Sequence, residues 1–516
     1  MFNQVATNLH AFATGCRLSD IVSDIAAVQI YGPQDAAVAN ITTDSRRVSR
    51  GSVFAAVEGE HVDGHRFVQR AIEAGAVCVV VQLRQYEEGL KDLLTPAYCQ
   101  HNGSTVAIVH DTREAVAVLA DRYYDSPSRD LKLIGITGTN GKTTISWLLQ
   151  GALRAAKLSP GMIGTVEYRI GDTVLPATYT TPPAEDLHRM FRDMRKAGCK
   201  SAVMEVSSHA LALKRVHGIS FDVSVFTNLT QDHLDFHGDM DAYRDAKGLL
   251  FSAHTRGVGL LNADDPVSSH LRAPLGRRGK LYGQHGKPAF RMRDIEVTAK
   301  GTSLTIEHAG ASWKLRSSLV GAFNAYNLTA AFAAAVLLGI DPEIARRGIQ
   351  SVKRVPGRFE RILSADGVAA IVDYSHTPDS LAKALQTARA LVGAGRVITV
   401  FGCGGDRDKG KRPYMGAVAS SMSDLAIITS DNPRTEDPAA IIAAVYAGVQ
   451  PGREVMVRSG RKAAIHQALK LARPGDIVLV AGKGHENYQI IGTTKRHFDD
   501  SEVVRAYFEA RRGGVQ

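Results

Sequence analysis

Short apolar runs that end in glycine or polar residues recur along the chain, and segments with helical periodicity separate them. In the first part of the chain, such runs predict strands at residues 52–57, 77–82 and 105–111. Helical periodicity at residues 67–76 and 112–124 predicts two helices. This alternation predicts a small α/β unit, and a turn-rich stretch at residues 125–129 follows it.

The same pattern continues in two larger units. In the second unit, the predicted strands are residues 131–137, 202–206, 223–229 and 258–262, and the predicted helices include residues 143–157 and 324–338. In the third unit, the predicted strands are residues 369–373, 397–401, 425–429 and 477–481. Buried runs separated by helices indicate mainly parallel sheets, and the third unit has a doubly wound pattern. We therefore predict three α/β domains, at residues 1–112, 113–355 and 356–516.

The composition is that of an ordinary globular protein, with 44% apolar and 22% charged residues among 516. Residues 1–15 lack the features of a secretory signal, and no run of about 18 apolar residues predicts a membrane span. Five scattered cysteines without a CxxC pair favour reduced thiols in a cytoplasmic protein over a disulfide framework or a zinc site. The net charge of +10 is spread thinly, which favours polyanionic small substrates or simple solubility over nucleic-acid binding.

The strongest chemical signal is Gly138-Thr-Asn-Gly-Lys-Thr-Thr144, which follows a predicted strand and opens a predicted helix. Backbone N–H groups of such a loop surround phosphates, and the helix N-terminus adds partial positive charge. We expect Lys142 to contact the β- and γ-phosphates of ATP and the Thr143 hydroxyl to bind Mg²⁺. The segment departs from the strict phosphate-loop pattern, because position 136 is isoleucine and the nearby glycines stand at positions 135 and 138.

Two polar segments follow the next predicted strands. Glu205 ends an apolar run, where open α/β sheets bind ligands, so it is a second predicted Mg²⁺ ligand; a capping or solvated acid is the alternative. The next segment holds four acidic or imidazole side chains close together: Asp232, His233, Asp235 and His237. Such side chains bind metal ions, and a surface loop with incidental histidines is the alternative.

Three polar clusters follow predicted strands of the third unit: Gly402-Cys-Gly-Gly-Asp-Arg-Asp408, Asp431-Asn-Pro-Arg434 and Gly482-Lys-Gly-His-Glu486. All three are expected at the ligand-binding edge of the sheet. The guanidinium groups of Arg407 and Arg434 suit a carboxylate, whereas Asp431 and Glu486 suit an ammonium group. The set fits a small zwitterion with more than one charged end, and a salt-bridged rim is the alternative.

Taken together, the motifs resemble those of the Mur ligase family over nearly the whole chain. Besides the glycine-rich loop, the matching segments are Thr180-Thr-Pro182, Glu205-Val-Ser-Ser-His209, Asp232-His-Leu-Asp235, Asn262-Ala-Asp-Asp265, Asn324-Ala-Tyr-Asn327, Gly357-Arg-Phe359 and Asp373-Tyr-Ser-His-Thr-Pro378. The resemblance implies a UDP-binding α/β domain, a central P-loop ATPase domain with a mainly parallel sheet, and a C-terminal Rossmann-like doubly wound domain. It also implies a ligase that uses ATP and Mg²⁺ to add an amino acid to a UDP-linked muramyl peptide.

The resemblance implies roles for individual residues as well. The ATP site is expected at Gly138, Thr139, Asn140, Gly141, Lys142, Thr143, Thr144, Asn327, Arg358 and Asp373. Catalytic or metal-binding residues are expected at Lys142, Thr143, Glu205, His233 and Lys247, with Lys247 carbamylated. Contacts with the UDP-muramyl dipeptide are expected at Ser45, Glu60, His61, Val62, Thr180, Thr181, Ser207 and Arg215. The amino-acid site is expected at Arg407, Asp431, Asn432, Pro433, Arg434, Gly482 and Glu486.

Within the family, Asp431-Asn-Pro-Arg434 is similar to the signature of the enzymes that add meso-diaminopimelate as the third peptide residue. A lysine-adding enzyme of the same branch and a folylpolyglutamate-type ligase are the alternative enzymes. A nucleotide-regulated binding protein without catalysis is the alternative from another class. One departure concerns Tyr179, which stands where some relatives have asparagine. On the sequence alone, Lys247 would be an ordinary helical surface lysine, and we expect the protein to act as a monomer.

Overall fold

The computed structural model describes residues 15–59 and 62–513, so the N-terminal segment and the predicted contacts Glu60 and His61 lie outside the described residues. The described chain contains sheets of five, eleven, six and two strands. Helices cover the three larger sheets. The predicted α/β class with mainly parallel sheets is confirmed.

The first sheet is built from β1 (Ala27–Tyr31), β2 (Asn40–Thr42), β3 (Ser52–Ala55), β4 (Cys78–Gln82) and β5 (Thr105–Val109), in the order β1-β5-β4-β3-β2. The helices of this unit are α1 (Ser19–Val22), α2 (Val68–Glu73), α3 (Leu83–Gln85), α4 (Pro96–Asn102) and α5 (Thr112–Tyr123). Helix α5 begins where the Asp111 carboxylate accepts hydrogen bonds from two backbone N–H groups. Its apolar face packs in the core of this sheet. This packing favours a domain boundary within residues 125–130 over the predicted boundary after residue 112.

The eleven-stranded sheet has a parallel centre and antiparallel edges. Its strands are β6 (Lys132–Thr137), β7 (Pro160–Ile163), β8 (Glu167–Ile170), β9 (Thr173–Pro176), β10 (Ser201–Glu205), β11 (Phe221–Phe226), β12 (Thr255–Asn262), β13 (Gly279–Gly283), β14 (Phe290–Thr298), β15 (Gly301–His308) and β16 (Ala311–Ser317). The order is β16-β15-β14-β13-β12-β11-β6-β10-β7-β8-β9. Strand β6 therefore lies between β10 and β11, and the carboxyl ends of all three meet at one edge.

Helices cover both faces of this central sheet. They are α6 (Lys142–Ala155), α7 (Ala184–Lys196), α8 (Ser208–Ala212), α9 (Leu234–His237), α10 (Met240–Ser252), α11 (Ser268–Arg272), α12 (Ala322–Leu337) and α13 (Pro342–Ser351). Successive side chains of β6 enter opposite cores, with Ile134 and Ile136 towards α6 and α12, and Leu133 towards α7 and α10. Helices α6 and α13 touch through Gly151, where an added Cβ would lie 2.6 Å from the Gly348 carbonyl oxygen. This contact fixes the helix that carries the glycine-rich loop.

The third unit has a six-stranded sheet in the order β17-β18-β22-β19-β20-β21, parallel except for β17. Its strands are β17 (Glu360–Leu363), β18 (Ala369–Asp373), β19 (Val397–Phe401), β20 (Leu425–Ile428), β21 (Val455–Val457) and β22 (Ile477–Ala481), and β23 (Tyr488–Ile491) and β24 (Thr494–His497) form a separate hairpin. Its helices are α14 (Pro378–Val392), α15 (Lys411–Met422), α16 (Pro438–Tyr446), α17 (Arg461–Leu471) and α18 (Asp500–Gly513). The polar clusters after β19, β20 and β22 therefore share one sheet edge.

The buried strands predicted from the sequence are present in all three units, with ends that differ by a few residues. The sequence did not predict strands β1, β2, β7 to β9, β13 to β17, β21, β23 and β24. All five cysteines are free thiols. Within the described ranges, no helix is both long enough and apolar enough to cross a membrane.

Candidate active site

The glycine-rich loop is held against the end of the neighbouring strand β11. Gly138 has φ +139°, and an added Cβ there would lie 1.9 Å from Thr227 Oγ1, so only glycine fits. The backbone N–H of Thr139 donates to the Asn228 carbonyl oxygen at 2.8 Å. The N–H of Asn140 donates to Asn228 Oδ1 at 3.0 Å. The loop conformation is thus fixed by close packing on its neighbour.

Lys142 lies at the start of α6 with its side chain turned over the loop. Its Nζ donates to the carbonyl oxygens of Gly138 at 2.7 Å and Thr139 at 2.9 Å. Burial lowers the pKa of the Lys142 amine, while the carboxylates of Glu205 and Asp232 oppose that shift. The ammonium group therefore stands where a phosphate bound in the loop would meet it.

Glu205 joins three segments of the site and is almost fully buried. Its carboxylate accepts hydrogen bonds from the Thr143 hydroxyl at 3.0 Å and from the N–H and hydroxyl of Thr165 at 3.0 and 2.8 Å. The Arg358 guanidinium donates to Thr143 Oγ1 at 2.9 Å. A hydroxyl and a carboxylate side by side fit Mg²⁺, which takes one or two protein oxygens together with water and phosphate oxygens.

The side chains of His233 and Lys247 both lie near the Tyr243 ring. The His233 and His209 rings are 4.7 Å apart, and burial lowers the pKa of His233 to about 3, so its imidazole is neutral. Lys247 Nζ lies 4.3 Å from the centre of the Tyr243 ring. Lys247 is buried and forms no ion pair with any described residue, and burial lowers the pKa of its amine well below the ordinary value. The expectation of an ordinary surface lysine is therefore wrong.

The side chains expected to bind metal do not form a complete cage. In the part of the chain that the structure describes, no group of three His, Cys, Asp or Glu side chains is arranged to hold a metal ion. Asp232 instead lies 3.4 Å from His233 Nε2. An ion bound here would need oxygen atoms from phosphate, water or a modified lysine in addition to Glu205 and Thr143.

The other residues expected around the nucleotide also lie near the loop. An added Cβ at Gly141 would stand 2.5 Å from Asn327 Oδ1, so this amide faces the start of α6. Thr144 is buried in the first turn of that helix. Asp373 accepts a hydrogen bond at 2.7 Å from the N–H of Phe359, the residue after Arg358. Asp373 therefore positions the segment that carries Arg358, and burial raises the pKa of its carboxyl group.

The residues expected to contact the muramyl peptide form a second network beside Glu205. The Thr181 hydroxyl donates to the Glu205 carbonyl oxygen at 2.8 Å and accepts from the N–H of Ser207 at 3.1 Å. Arg215 donates to the Thr181 carbonyl oxygen at 2.8 Å and lies 5.3 Å from the centre of the Tyr179 ring. Thr180 Oγ1 lies 3.1 Å from Thr165 Oγ1. Tyr179 thus contributes an aromatic face to this network.

The predicted UDP contacts lie on the first unit, apart from these residues. Ser45 starts a short 3₁₀ helix that the Asp44 carboxylate caps. The preceding Thr43 donates from both its N–H and its hydroxyl to Glu185 Oε1, at 3.1 and 2.7 Å, which ties this segment to α7. Val62 is exposed.

In the third unit, the clusters after β20 and β22 are joined by hydrogen bonds. Asn432 Nδ2 donates to Glu486 Oε2 at 2.8 Å. Lys483 Nζ donates to Asn432 Oδ1 at 3.2 Å, and it lies 3.3 Å from Glu486 Oε2 and 3.8 Å from Asp431 Oδ1. An added Cβ at Gly482 would stand 2.6 Å from Asp431 Oδ2, so a side chain there would displace the carboxylate.

The two arginines of these clusters differ in setting. Arg434 has φ +51°, and its guanidinium donates to the Gly405 carbonyl oxygen at 2.7 Å, which joins the clusters after β19 and β20. Pro433, which precedes it, is buried. Arg407 is exposed and donates to the carbonyl oxygen of its neighbour Asp406. The Arg434 side chain is therefore held in one orientation within these clusters, whereas the Arg407 side chain is exposed at their rim.

The polar clusters after β19, β20 and β22, called the amino-acid cluster below, are linked to the glycine-rich loop by other residues of the third unit. An added Cβ at Gly357 would lie 2.0 Å from the His485 backbone nitrogen, so the loop after β22 packs on the segment that carries Arg358. Asn140 Nδ2 also donates to Asp379 Oδ2 at 3.3 Å, at the start of α14. The segment that carries Arg358 therefore contacts both the glycine-rich loop and the polar cluster after β22.

Two residues of this site were not predicted. Thr165 follows Gly164, and an added Cβ at Gly164 would stand 2.4 Å from Glu205 Oε1. A glycine-threonine pair after a buried strand was the sequence signal that could have identified Thr165. Lys483 stands between two glycines after β22, and its side chain is fully buried. The sequence shows this glycine spacing, but it does not show that the charge of Lys483 is buried.

Three family models match the chain in order. They are the catalytic domain of the Mur ligase family at residues 37–124, the Mur ligase middle domain at residues 136–335 and the Mur ligase glutamate ligase domain at residues 357–484. A UDP-N-acetylmuramoyl-L-alanyl-D-glutamate–2,6-diaminopimelate ligase of Geobacter metallireducens is 41% identical over 515 residues, which covers 95% of this chain and 98% of that relative. The ligase of the same name from Gloeobacter violaceus is 45% identical over 480 residues, which covers 93% and 95%.

Solved structures agree with these matches. A UDP-N-acetylmuramoyl-L-alanyl-D-glutamate–2,6-diaminopimelate ligase structure is 31% identical, with a TM-score of 0.64 over 92% of this chain and 95% of that chain. Folylpolyglutamate synthase of Mycobacterium tuberculosis, complexed with ADP, is 20% identical with a TM-score of 0.59 over 72% of this chain and 91% of that chain, which shows a shared fold alone. Since full-length relatives at 41% and 45% identity and all three domain models agree, the chain belongs to the Mur ligase family.

Proposed function

We propose that this enzyme adds meso-diaminopimelate to the D-glutamate of UDP-N-acetylmuramoyl-L-alanyl-D-glutamate in the synthesis of peptidoglycan precursors. ATP is the co-substrate, and ADP and phosphate are the other products. The reaction is the formation of one amide bond through an acyl phosphate. We also infer that the protein acts as a cytoplasmic monomer, because its substrates are charged small molecules and the residues expected to bind all three of them belong to one chain.

The observation that carries this proposal is that one segment of the third unit contacts both the glycine-rich loop and the loop that holds Glu486. Arg358 contacts Thr143 at the phosphate loop, and the adjacent Gly357 packs on the loop that holds Glu486. A phosphoryl group leaving ATP and an amine arriving from the third unit would therefore meet in the same space. A nucleotide-regulated binding protein would not need an amino-acid site in contact with its phosphate loop.

In the first step, the γ-phosphoryl group moves to the terminal carboxylate of the muramyl dipeptide, which gives an acyl phosphate. Lys142 would neutralise charge on the phosphoryl oxygens, and Arg358 would move with the third unit towards them. The network of Thr180, Thr181 and Arg215 would hold the dipeptide beside Glu205. The amine of the diamino acid then attacks the acyl carbon, and phosphate leaves from the tetrahedral intermediate. Contact between the domains would exclude water from the acyl phosphate.

Mg²⁺ is the proposed cofactor. When bound, it would neutralise phosphate charge and orient the phosphoryl oxygens. Glu205 and Thr143 would hold one ion, and neutral His233 would serve a second. Among the described residues, Lys247 is a buried amine that forms no ion pair, and a carbamate on it would add an anion beside His233.

The amino-acid cluster supports meso-diaminopimelate over L-lysine. The two differ by one carboxylate at the distal carbon, and Arg434 carries an oriented guanidinium fork that pairs with such a group. Asp431, Asn432 and Glu486 would receive the distal ammonium. A folylpolyglutamate-type ligase would add glutamate, which has no distal ammonium group for these acids.

The test is phosphate release by the purified protein with ATP and Mg²⁺. Release should require both UDP-muramyl dipeptide and an amino acid, and a panel of diamino acids should rank meso-diaminopimelate first, with the tripeptide product verified by mass. Release with ATP alone, unaffected by either substrate, would favour a nucleotide-regulated binding protein. Release that requires L-lysine or a folate would favour one of the other ligases.

A further inference from the structure

Lys483 is a cation at the centre of the amino-acid cluster with no solvent-exposed side-chain surface. Its ammonium donates to Asn432 Oδ1 at 3.2 Å and lies 3.3 Å from Glu486 Oε2. Asp431 Oδ1 is 3.8 Å away. A buried lysine is costly unless its charge is paired, so three polar partners around one ammonium indicate a built arrangement.

We propose that Lys483 is a positioning residue of the amino-acid site, whose ammonium holds Asp431, Asn432 and Glu486 in the geometry that receives the distal ammonium of the substrate. The proposal rests on the function proposed above. Lys483 does not have to touch the substrate. It acts through the two carboxylates and the amide that do.

The count of charges supports this role. Asp431 and Glu486 contribute two negative charges and Lys483 one positive charge, so the three together carry one net negative charge. The nearby Arg461 is neutralised by Asp500, since both side chains are fully buried and joined by hydrogen bonds of 2.8 and 2.7 Å. A substrate ammonium therefore brings these three groups to neutrality, and the charge of Arg434 remains for the distal carboxylate of the substrate. Without Lys483, two buried carboxylates would face each other with no cation between them.

The causes that shift the pKa of Glu486 also support a positioning role for Lys483. Burial raises the pKa of Glu486, the charge of Asp431 raises it further, and the charge of Lys483 lowers it. Removal of the Lys483 charge would therefore raise the pKa of Glu486 again and favour its neutral form. A neutral carboxyl group attracts a substrate ammonium much less than a carboxylate does.

Other charged and titratable groups surround the two acids: Arg434, Arg461, Tyr374, Tyr488, His485 and Cys403, whose thiol pKa is raised by burial. Burial lowers the pKa of His485 to about 3, so its ring stays neutral in any ordinary assay. Burial raises the pKa of both tyrosines, so they stay neutral as well. Burial and the charge of Asp431 raise the pKa of Glu486, so Glu486 is the group of this cluster whose charge changes at the acid side of the activity profile.

The experiment compares Lys483→Gln, which keeps a hydrogen-bond donor but removes the charge, with Lys483→Arg, which keeps the charge. Lys462→Gln is the matched control, because Lys462 is an exposed lysine of the same domain. Steady-state kinetics give KM for each of the three substrates and kcat/KM for meso-diaminopimelate between about pH 6 and 9. Thermal unfolding of each variant monitors the fold.

For Lys483→Gln, KM for meso-diaminopimelate should rise by about tenfold or more, because a charge-assisted network is lost. Its KM for ATP and for UDP-muramyl dipeptide should stay within about twofold of the wild type. The acid limb of its kcat/KM profile should move to higher pH. Lys483→Arg should recover part of the loss, and Lys462→Gln should match the wild type.

Two results would overturn the role of Lys483. One is a Lys483→Gln enzyme whose KM for meso-diaminopimelate and whose pH profile match those of the wild type. The other is a rise in all three KM values together with a lower Tm and an unmoved pH profile, which is what a merely structural lysine would give. The wild type is measured first: if it does not use meso-diaminopimelate, the proposed function fails and this role fails with it. If it does, only the role of Lys483 is at stake.

Discussion

Replacing Arg434 by alanine should remove most use of meso-diaminopimelate and leave any weak use of L-lysine largely unchanged. The Arg434 guanidinium donates to the Gly405 carbonyl oxygen at 2.7 Å, and this bond orients the group. A guanidinium has five N–H donors, so the others remain for the distal carboxylate of the substrate. L-Lysine lacks that carboxylate and makes no use of them.

The size of the effect follows from the pairing. A hydrogen bond to a charged group contributes about 1.5–3 kcal/mol, which corresponds to about 10- to 150-fold in kcat/KM. Arg434 has φ +51°, and alanine carries the same Cβ, so the backbone strain is the same in both proteins. The difference between them therefore reports on the guanidinium and not on the turn.

The assay measures kcat/KM for both amino acids in the wild type, in Arg434→Ala and in Arg434→Lys. The lysine variant keeps the charge but loses the planar fork, so it should recover only part of the preference. Arg453→Ala is the matched control, because Arg453 is an exposed arginine of the same domain. Equal kcat/KM for the two amino acids in the wild type, or an equal loss for both in Arg434→Ala, would refute the role of Arg434.

Three further predictions concern the phosphate loop, the buried lysine and stability. Lys142→Ala should lose activity by well over about tenfold with unchanged Tm, and a smaller loss would show that the amine does not meet phosphate charge. Lys247→Ala should be nearly inactive and partly rescued by short carboxylates; a plain lysine by intact mass in the active, substrate-bound enzyme would contradict this. Burial lowers the pKa of His188 from 6.5 to about 4 although Asp121 is 3.3 Å away, so the unfolded chain binds more protons between these values. His188 should therefore contribute a fall of up to about 3 kcal/mol in the free energy of unfolding as the pH falls from 6.5 to 4, and His188→Leu should reduce that slope in denaturant titrations; equal slopes would count against it.

The elements that the sequence predicts well are the buried parallel strands. Strand β22 is apolar throughout, strand β19 is apolar except for Thr399, and both are buried along their whole length, so each gives an apolar run with clear ends. The missed strands β9 and β24 are different, whereas the missed strand β7 is fully buried but only four residues long. All four residues of β24 are exposed, and most of β9 is exposed too, so hydrogen bonds to a neighbouring strand hold them rather than an apolar face.

The boundary between the first and second units also depends on packing that the sequence does not show. The sequence predicts an amphipathic helix at α5 (Thr112–Tyr123), but the periodicity does not indicate which sheet this helix covers. Its apolar face packs on the first sheet, and this packing favours a change of unit later than residue 112. Packing partners are a property of the whole fold, whereas amphipathicity is a property of the segment.

The sequence by itself determined the residue types that stand at the ends of the predicted strands. Local backbone preferences are enough for this, because a glycine with positive φ such as Gly138 and a buried strand such as β6 both leave local signals. From those signals follow a phosphate loop, an acid at Glu205 and polar clusters in the third unit.

Only the tertiary structure decided which of these ends meet. Strand β6 lies between β10 and β11, so Thr143 reaches Glu205, and the third unit brings Arg358 to Thr143 across 215 residues of chain. The same packing buries Lys483 among the two acids and the amide. Neighbours in a sheet and the burial of a charge depend on contacts between distant segments, and no local pattern records them.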